Sequence, residues 1–307
     1  MEYQQLGPTE LYVSRLCFGC WAIGGYGWGS INDSTSVSSI HRALDLGINF
    51  FDTADVYGFG HSEAILSKAL GARRHDLVIA TKFGVSWTAD GSTGRDCSPV
   101  YMVHALEASL RRLRLDCIPL YQIHWPDPLV PLDETLAALK KCQEAGKIRY
   151  IGCSNFPQPL LREAAASGLL CSVQMPYSIL SREPANGYVQ LCQSLGIGFM
   201  AYGVLEKGLL SGDFPSLDEL DAADRRARDA NFQAARLPRN LEIHQHLRSI
   251  GMKYDKSPAQ TAIRFVLDHP AVSAALVGII EPRHIEENIG AMDWHLSADD
   301  WSFLARY

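Results

Sequence analysis

Four side chains, Asp52, Tyr57, Lys82 and His124, would together solve one chemical problem if the fold brought them to one place. Reducing a carbonyl requires a proton at oxygen while a hydride reaches carbon. A tyrosine, with an ordinary pKa of about 10, is a sluggish acid–base group at neutral pH. A nearby ammonium stabilises the phenolate and lowers that pKa, and a carboxylate can hold the lysine in place and charged. A histidine can hydrogen-bond the reacting oxygen and orient it. Taken singly, each has a plainer reading: Asp52 as an Asx turn, Lys82 as a solvated strand end, His124 as a satisfied polar residue, Tyr57 as rim packing. Four complementary groups at three successive strand ends outweigh those separate readings.

The strand ends come from short apolar or β-branched runs. Strands are predicted over Arg15–Gly19, Asn49–Asp52, Leu77–Lys82, Leu120–His124, Tyr150–Cys153, Ser172–Met175, Gly198–Tyr202 and Ala274–Val277. Helical faces lie between them: Val37, Ile40 and Leu44; Met102, Leu106, Leu110 and Leu113; Leu132, Leu136 and Leu139. Pro99 and Pro157 suit helix starts. Strand followed by helix, eight times over, implies parallel strands with right-handed crossovers, and predicts a (β/α)8 TIM barrel. An open doubly wound sheet would carry a Gly-x-Gly-x-x-Gly turn opening a helix. Gly24-Gly25-Tyr26-Gly27-Trp28-Gly29 is glycine-rich but opens onto no helical pattern.

The catalytic groups of a barrel project from the C-terminal strand ends, where Asp52, Lys82 and His124 fall, with Tyr57 one short turn later. Residues around Gly7-Pro8-Thr9-Glu10 read as an N-terminal β-hairpin that caps one end of the barrel. Glu206–Lys253 reads as a long loop between strands seven and eight, a candidate flap over cofactor or substrate.

Composition narrows the function classes. With 307 residues, 47% hydrophobic, the chain suits one barrel domain over residues 1–307. A net charge of -6 without a basic stripe argues against nucleic acid as a partner. No apolar run reaches the ~20 residues of a membrane helix, and Met1-Glu2-Tyr3-Gln4-Gln5 lacks a secretory pattern. Eight scattered cysteines, most in apolar runs, read as buried reduced thiols and a cytoplasmic protein. Cys17-Phe18-Gly19-Cys20 has no second pair to complete a metal site, and no metal is expected.

Phe51-Asp52-Thr53-Ala54-Asp55-Val56-Tyr57-Gly58, Ile79-Ala80-Thr81-Lys82-Phe83-Gly84, Tyr121-Gln122-Ile123-His124-Trp125-Pro126-Asp127 and Ile151-Gly152-Cys153-Ser154-Asn155-Phe156 together resemble the aldo-keto reductase superfamily. The likeness is nearest to the bacterial branches that also resemble voltage-gated potassium-channel β-subunits. It implies Tyr57 as general acid–base, Lys82 as its modulator, Asp52 as support and His124 as the orienter of the carbonyl. It implies a nicotinamide cofactor bound extended, with Ser154, Asn155 and Gln174 on the carboxamide and Tyr202 stacked on the ring. The cofactor-binding set that it implies also includes Trp21 and Asp52. Backbone amides of Gly203, Val204 and Leu205 would meet the pyrophosphate, with Lys207 and Gly208 nearby, and Gly278, Ile280, His284, Glu287 and Asn288 would serve the adenosine phosphate.

The chain departs from the family pattern at three places. Gly203-Val204-Leu205 replaces Ser-Pro-Leu, Ile279 and Ile280 stand where a small or hydroxyl residue and then a basic one are frequent, and Asp213 stands where a basic residue often meets phosphate. Arg283, His284 and Arg225-Arg226-Ala227-Arg228 could still supply charge, although the arginine cluster equally suits a solvated helix face. NADP(H) is the default that the resemblance implies, and NAD(H) stays open.

Trp21, Tyr26, Trp28, Trp87 and Trp125 fall on or near rim loops, and Trp21, Trp28, Trp87 and Trp125 with Tyr57 and His124 form the expected pocket for a carbonyl or alcohol, its aromatic walls suiting a sugar, a ring or a flat ketone. Two other classes compete. A nicotinamide-binding redox sensor with little turnover would not need all four catalytic groups. A metallohydrolase using Asp52, Asp55, His124 and Asp127 lacks a second strand-end histidine.

Overall fold

The computed structural model describes residues 1–25, 28, 31–182, 185–212 and 224–307. Strands β1 (Tyr3–Gln5) and β2 (Tyr12–Ser14) pair antiparallel as the expected hairpin. Three barrel strands follow: β3 (Leu16–Gly19), β4 (Phe50–Asp52) and β5 (Val78–Phe83). Directly after β5 comes a second antiparallel hairpin, β6 (Val85–Trp87) with β7 (Thr93–Arg95), which the sequence reading did not anticipate. Then β8 (Ile118–Ile123), β9 (Ile148–Ser154), β10 (Leu170–Pro176), β11 (Gly198–Tyr202) and β12 (Val272–Gly278) complete the set. Among the described residues eight parallel strands close into a barrel, with β12 returning to β3. The predicted TIM barrel is the observed fold.

Between strands lie α1 (Asp33–Asp45), α2 (His61–Leu70), α3 (Pro99–Leu113), α4 (Leu132–Glu144), α5 (Gln158–Ala166) and α6 (Ala185–Leu195). Their starts follow from sequence: the Asn32 side chain caps α1, and Ser98 caps α3 ahead of Pro99. Pro157 occupies the cap position of α5. Glu206–Lys253, expected as one long loop, is not a loop throughout. It contains short helical turns and a full helix, α7 (Leu237–Met252), and α8 (Pro258–Leu267) follows before β12. The weak amphipathic period of α7 itself gives little helical signal in the sequence. Two short helices, α9 (Pro282–Asn288) and α10 (Ala298–Leu304), end the chain. Tyr26, Gly27, Gly29 and Asp213 lie outside the described residues.

Side-chain alternation along the strands sorts the barrel into an outer and an inner set. Leu16, Phe18, Phe51, Ile79, Phe83, Tyr121, Ile123, Ile151 and Val173 point outward into the helices. Cys17, Phe50, Val78, Ala80, Leu120, Met200, Ala274 and Leu276 point inward, where Leu6, Leu11 and Val13 of the first hairpin plug the N-terminal end. One step further along the inward series come Asp52, Lys82, Gln122 and Gln174, all buried. The interior is therefore apolar at the plugged end and polar at the C-terminal end. All eight cysteines are unpaired. No helix among the described residues is long and apolar enough to cross a membrane.

Candidate active site

Asp52 ends β4 and Lys82 lies one residue from the end of β5, neighbouring strands in parallel register. The Lys82 ammonium donates to Asp52 Oδ1 at 2.5 Å, to the Thr53 carbonyl at 2.8 Å and to the Tyr57 hydroxyl at 3.4 Å. The other Asp52 oxygen accepts from Gln122 at 3.1 Å and from Gln174 at 2.8 Å. Burial opposes the charge on Lys82, but Asp52 and then Tyr57 favour it, and its pKa stands above the ordinary lysine range.

Tyr57 is held by the turn after β4. Thr53 donates its amide to Ala80, and its hydroxyl meets that of Ser62 at 2.9 Å, which in turn donates to the Cys20 carbonyl. The chain beyond Tyr57 crosses the chain beyond β3 at two glycines. A Cβ on Gly24 would lie 2.7 Å from the Gly58 nitrogen, and φ at Gly58 is +60°. Glycine at both positions lets the two chains approach this closely.

The expected pull of Lys82 on the Tyr57 phenol is present, but it does not win. Burial pushes the phenol up, Lys82 pulls it down, Asp52 opposes Lys82, and the net pKa lies above the ordinary tyrosine value. The neighbouring ammonium alone would give the expected lowered value, and desolvation outweighs it. His124 follows β8 and stands edge-on to Tyr57, with ring centroids 5.7 Å apart. Enclosure, Lys82 and Arg95 hold its pKa well below the ordinary histidine value, so the ring is neutral. Its Nδ1 is sealed from solvent without a hydrogen-bond partner among the described residues.

The neighbouring strand ends bring most of the expected cofactor residues to the same mouth. Ser154 donates to the Gln174 carbonyl at 2.9 Å, Asn155 donates to the His124 carbonyl at 3.0 Å, and the Tyr202 hydroxyl donates to Asn155 at 2.8 Å. Gln174 thus turns its amide toward Asp52. Gly203, at φ +71°, and Gly278 would each meet nothing within 4 Å of an added Cβ. That open backbone beside Tyr202 and at the end of β12 fits an extended dinucleotide. Val204 is buried, Leu205 packs against the core, and Gly208 follows Lys207, whose ammonium pairs with Asp229. At the far end His284 Nδ1 accepts from the amides of Ile280 and Glu281, Asn288 is buried, and the Glu287 carbonyl accepts from Gln260.

Part of the expected positive charge for a phosphate is committed. Arg283 pairs with Glu281 at 2.8 Å, and Arg226 forms a two-pronged contact with Asp224. Trp21 packs edge-to-face on Trp28 at 5.2 Å and tilts toward Tyr57 at 6.3 Å. Trp87 packs on Phe59, while Trp125 is 37% exposed with the Arg95 guanidinium over its ring. Gln122 was missed, although its position two residues before His124 puts it on the same strand face. Glu63 was missed too. Buried behind β5, it accepts from Thr81 at 2.6 Å and pairs with Arg112 at 2.6 Å, bracing the strand that carries Lys82. The metal alternative does not assemble. Asp55 is buried beside Glu63, with burial and then Glu63 raising its pKa well above the usual carboxylate range, and Asp127 accepts from the Cys97 and Leu129 amides. Among the described residues no three candidate ligands converge on a metal position.

A closed parallel barrel with a tyrosine, a paired lysine and a neutral histidine at its C-terminal mouth defines a carbonyl–alcohol oxidoreductase class. The Aldo/keto reductase family profile matches residues 15–306. Aldo-keto reductase YhdN of Bacillus subtilis (strain 168) is 37% identical over 303 residues, 98% of this chain and 91% of that one. Among solved structures, the glycerol dehydrogenase AKR11B4 from Gluconobacter oxydans superposes with a TM-score of 0.90 at 34% identity, covering 99% of this chain and 94% of that one. The holo form of aldo-keto reductase AKR11C1 from Bacillus halodurans gives 0.83 at 29%, covering 100% and 96%. The chain belongs to the aldo/keto reductase family and is an NAD(P)(H)-dependent oxidoreductase acting on small carbonyl compounds or alcohols.

Proposed function

We propose that the chain interconverts an aldehyde or ketone and its alcohol, with Tyr57 as general acid–base. The observation that carries this reading is the Lys82 ammonium lying between the Asp52 carboxylate at 2.5 Å and the Tyr57 hydroxyl at 3.4 Å. In reduction Tyr57 gives its proton to the carbonyl oxygen and becomes a phenolate beside Lys82. The ammonium interacts weakly with a phenol and strongly with a phenolate, so it stabilises the charge that develops. Neutral His124 donates from Nε2 to the same oxygen and fixes its direction. When bound, the reduced nicotinamide supplies the hydride to the carbonyl carbon, and in alcohol oxidation proton and hydride return by the same paths. Ser154, Asn155 and Gln174 would hold the carboxamide, and the Tyr202 ring would set which face is presented.

The redox-sensor alternative has no use for a charged lysine placed on a phenol, and turnover is the better reading. For the cofactor, NADP(H) remains the default, with its margin over NAD(H) narrowed. Ile279 is buried, Ile280 is apolar, Arg226 and Arg283 are already paired, and Glu281 adds a carboxylate at the start of α9. A 2′-phosphate needs positive partners, whereas a free 2′-hydroxyl accepts a carboxylate neighbour.

Tyr57→Phe is expected to lower kcat by ~10²–10⁴-fold while cofactor affinity, read by fluorescence titration, changes little. Activity within a few-fold of wild type would remove Tyr57 from the role. Lys82→Met leaves burial unopposed, so the Tyr57 pKa rises further. Alcohol oxidation should then collapse near neutral pH and recover only in part on the alkaline side, whereas an unchanged pH profile would contradict tuning by Lys82. The ratio of NADH to NADPH dissociation constants should be modest in wild type. Ile280→Arg should shift it toward NADPH by roughly one to two powers of ten. A strong wild-type preference unmoved by this substitution would place the phosphate on other groups.

A further inference from the structure

We propose that Arg95 is an anion subsite at the rim of the barrel, so that the substrate carries a carboxylate or phosphate remote from its reacting carbonyl. This rests on the carbonyl–alcohol reading above.

The β6–β7 hairpin positions Arg95. Arg95 lies opposite Val85 in register, just beyond the strand that carries Lys82, and the Asp96 amide donates to the Gly84 carbonyl at 3.3 Å. On one side of the hairpin, Trp87 packs on Phe59, two residues past Tyr57, with ring centroids 5.9 Å apart. On the other, the Arg95 guanidinium carbon lies 4.5 Å over the ring of Trp125, the residue after His124. The hairpin therefore spans the mouth from the Tyr57 turn to the His124 strand, and Arg95 sits on its His124 side.

The guanidinium is oriented but chemically uncommitted. Arg42, Arg112, Arg149, Arg226, Arg264 and Arg283 each have a carboxylate partner. Arg95 forms no salt bridge and no side-chain hydrogen bond among the described residues, and its contact is with a ring face. Asp127, whose charge is felt at Arg95 without an ion pair, accepts from the Cys97 and Leu129 amides, and the adjacent Asp96 accepts from the Ser98 amide. A stacked guanidinium keeps its N–H edge free, and that edge matches a carboxylate or phosphate in two-pronged geometry. Holding the plane against Trp125 in advance reduces the ordering cost of capture. The Arg95 charge also contributes to keeping His124 neutral, which puts it within electrostatic reach of the reacting oxygen. On a chain of net charge -6, a local cation at the mouth is what lets an anionic substrate approach.

The test compares matched substrates in wild type, Arg95→Gln and Arg95→Lys: 4-oxobutanoate against butanal, and glyceraldehyde 3-phosphate against glyceraldehyde. In Arg95→Gln the anionic-to-neutral ratio of kcat/KM should fall about 10- to 100-fold in at least one pair, mainly through KM, with Arg95→Lys retaining part of it. Which pair responds identifies carboxylate or phosphate as the natural group. Ratios within about twofold of wild type in both pairs would overturn the proposal and leave the carbonyl chemistry standing. Absence of turnover with all four aldehydes would instead count against the carbonyl reading. Arg95 is then judged by calorimetric binding of 4-hydroxybutanoate and glycerol 3-phosphate to the cofactor-loaded protein. Binding lost in Arg95→Gln supports the subsite, and equal binding in both proteins, or none to wild type, overturns it.

Discussion

The ion pair between Lys82 and Asp52 is buried on both sides, and the rest of the mouth is arranged to make it tolerable. Removing two charges from water costs several kcal/mol per ion, and mutual attraction repays this only when the remaining hydrogen-bonding capacity is also filled. Here it is filled. Gln122 and Gln174 donate to the second Asp52 oxygen, and the Thr53 carbonyl and Tyr57 hydroxyl receive the other ammonium protons. These groups come from β4, β5, β8 and β10 and the turn after β4, so one carboxylate gathers contacts from around the barrel. A one-residue slip of any of those strands would turn its polar residue out toward the helices. The pair therefore specifies register as well as charge.

The same enclosure explains the split behaviour of the two groups beside it. Burial acts on all three titrating side chains, but only Lys82 has a carboxylate in direct contact, so only Lys82 keeps its charge. Tyr57 is left protonated and His124 neutral. A protonated phenol is the form needed to reduce a carbonyl, and a neutral imidazole can donate to oxygen without adding a second positive charge next to Lys82. Removing Asp52 would break a buried pair, a change that typically costs ~3–5 kcal/mol, and would also remove the reason for Lys82 to be charged.

Much of this was legible in the sequence because barrels convert order into position. Once eight strand-like runs alternated with helical faces, Asp52, Lys82 and His124 had to fall at successive C-terminal strand ends, and the period-2 rule would also have found Gln122. Features without a local signature were not legible. The β6–β7 hairpin is made of two three-residue strands, too short to show a period, so Arg95 carries no sequence signal. Helix α7 has a weak apolar period, and the connection before β12 read as irregular. The raised Tyr57 pKa was missed for a different reason: sequence names the neighbouring charges but not how much water they have lost.

The most direct test of this account is the ionisation of Lys82 itself, followed by NMR of lysine labelled at Cε in wild type and in Asp52→Asn. Wild-type Lys82 should remain an ammonium beyond the pH at which the surface lysines deprotonate. In Asp52→Asn, burial acts without its counterweight, and Lys82 should lose its proton at a lower pH than those same lysines. Titration of Lys82 together with the surface lysines in both proteins would contradict the claim that Asp52 keeps the buried lysine charged.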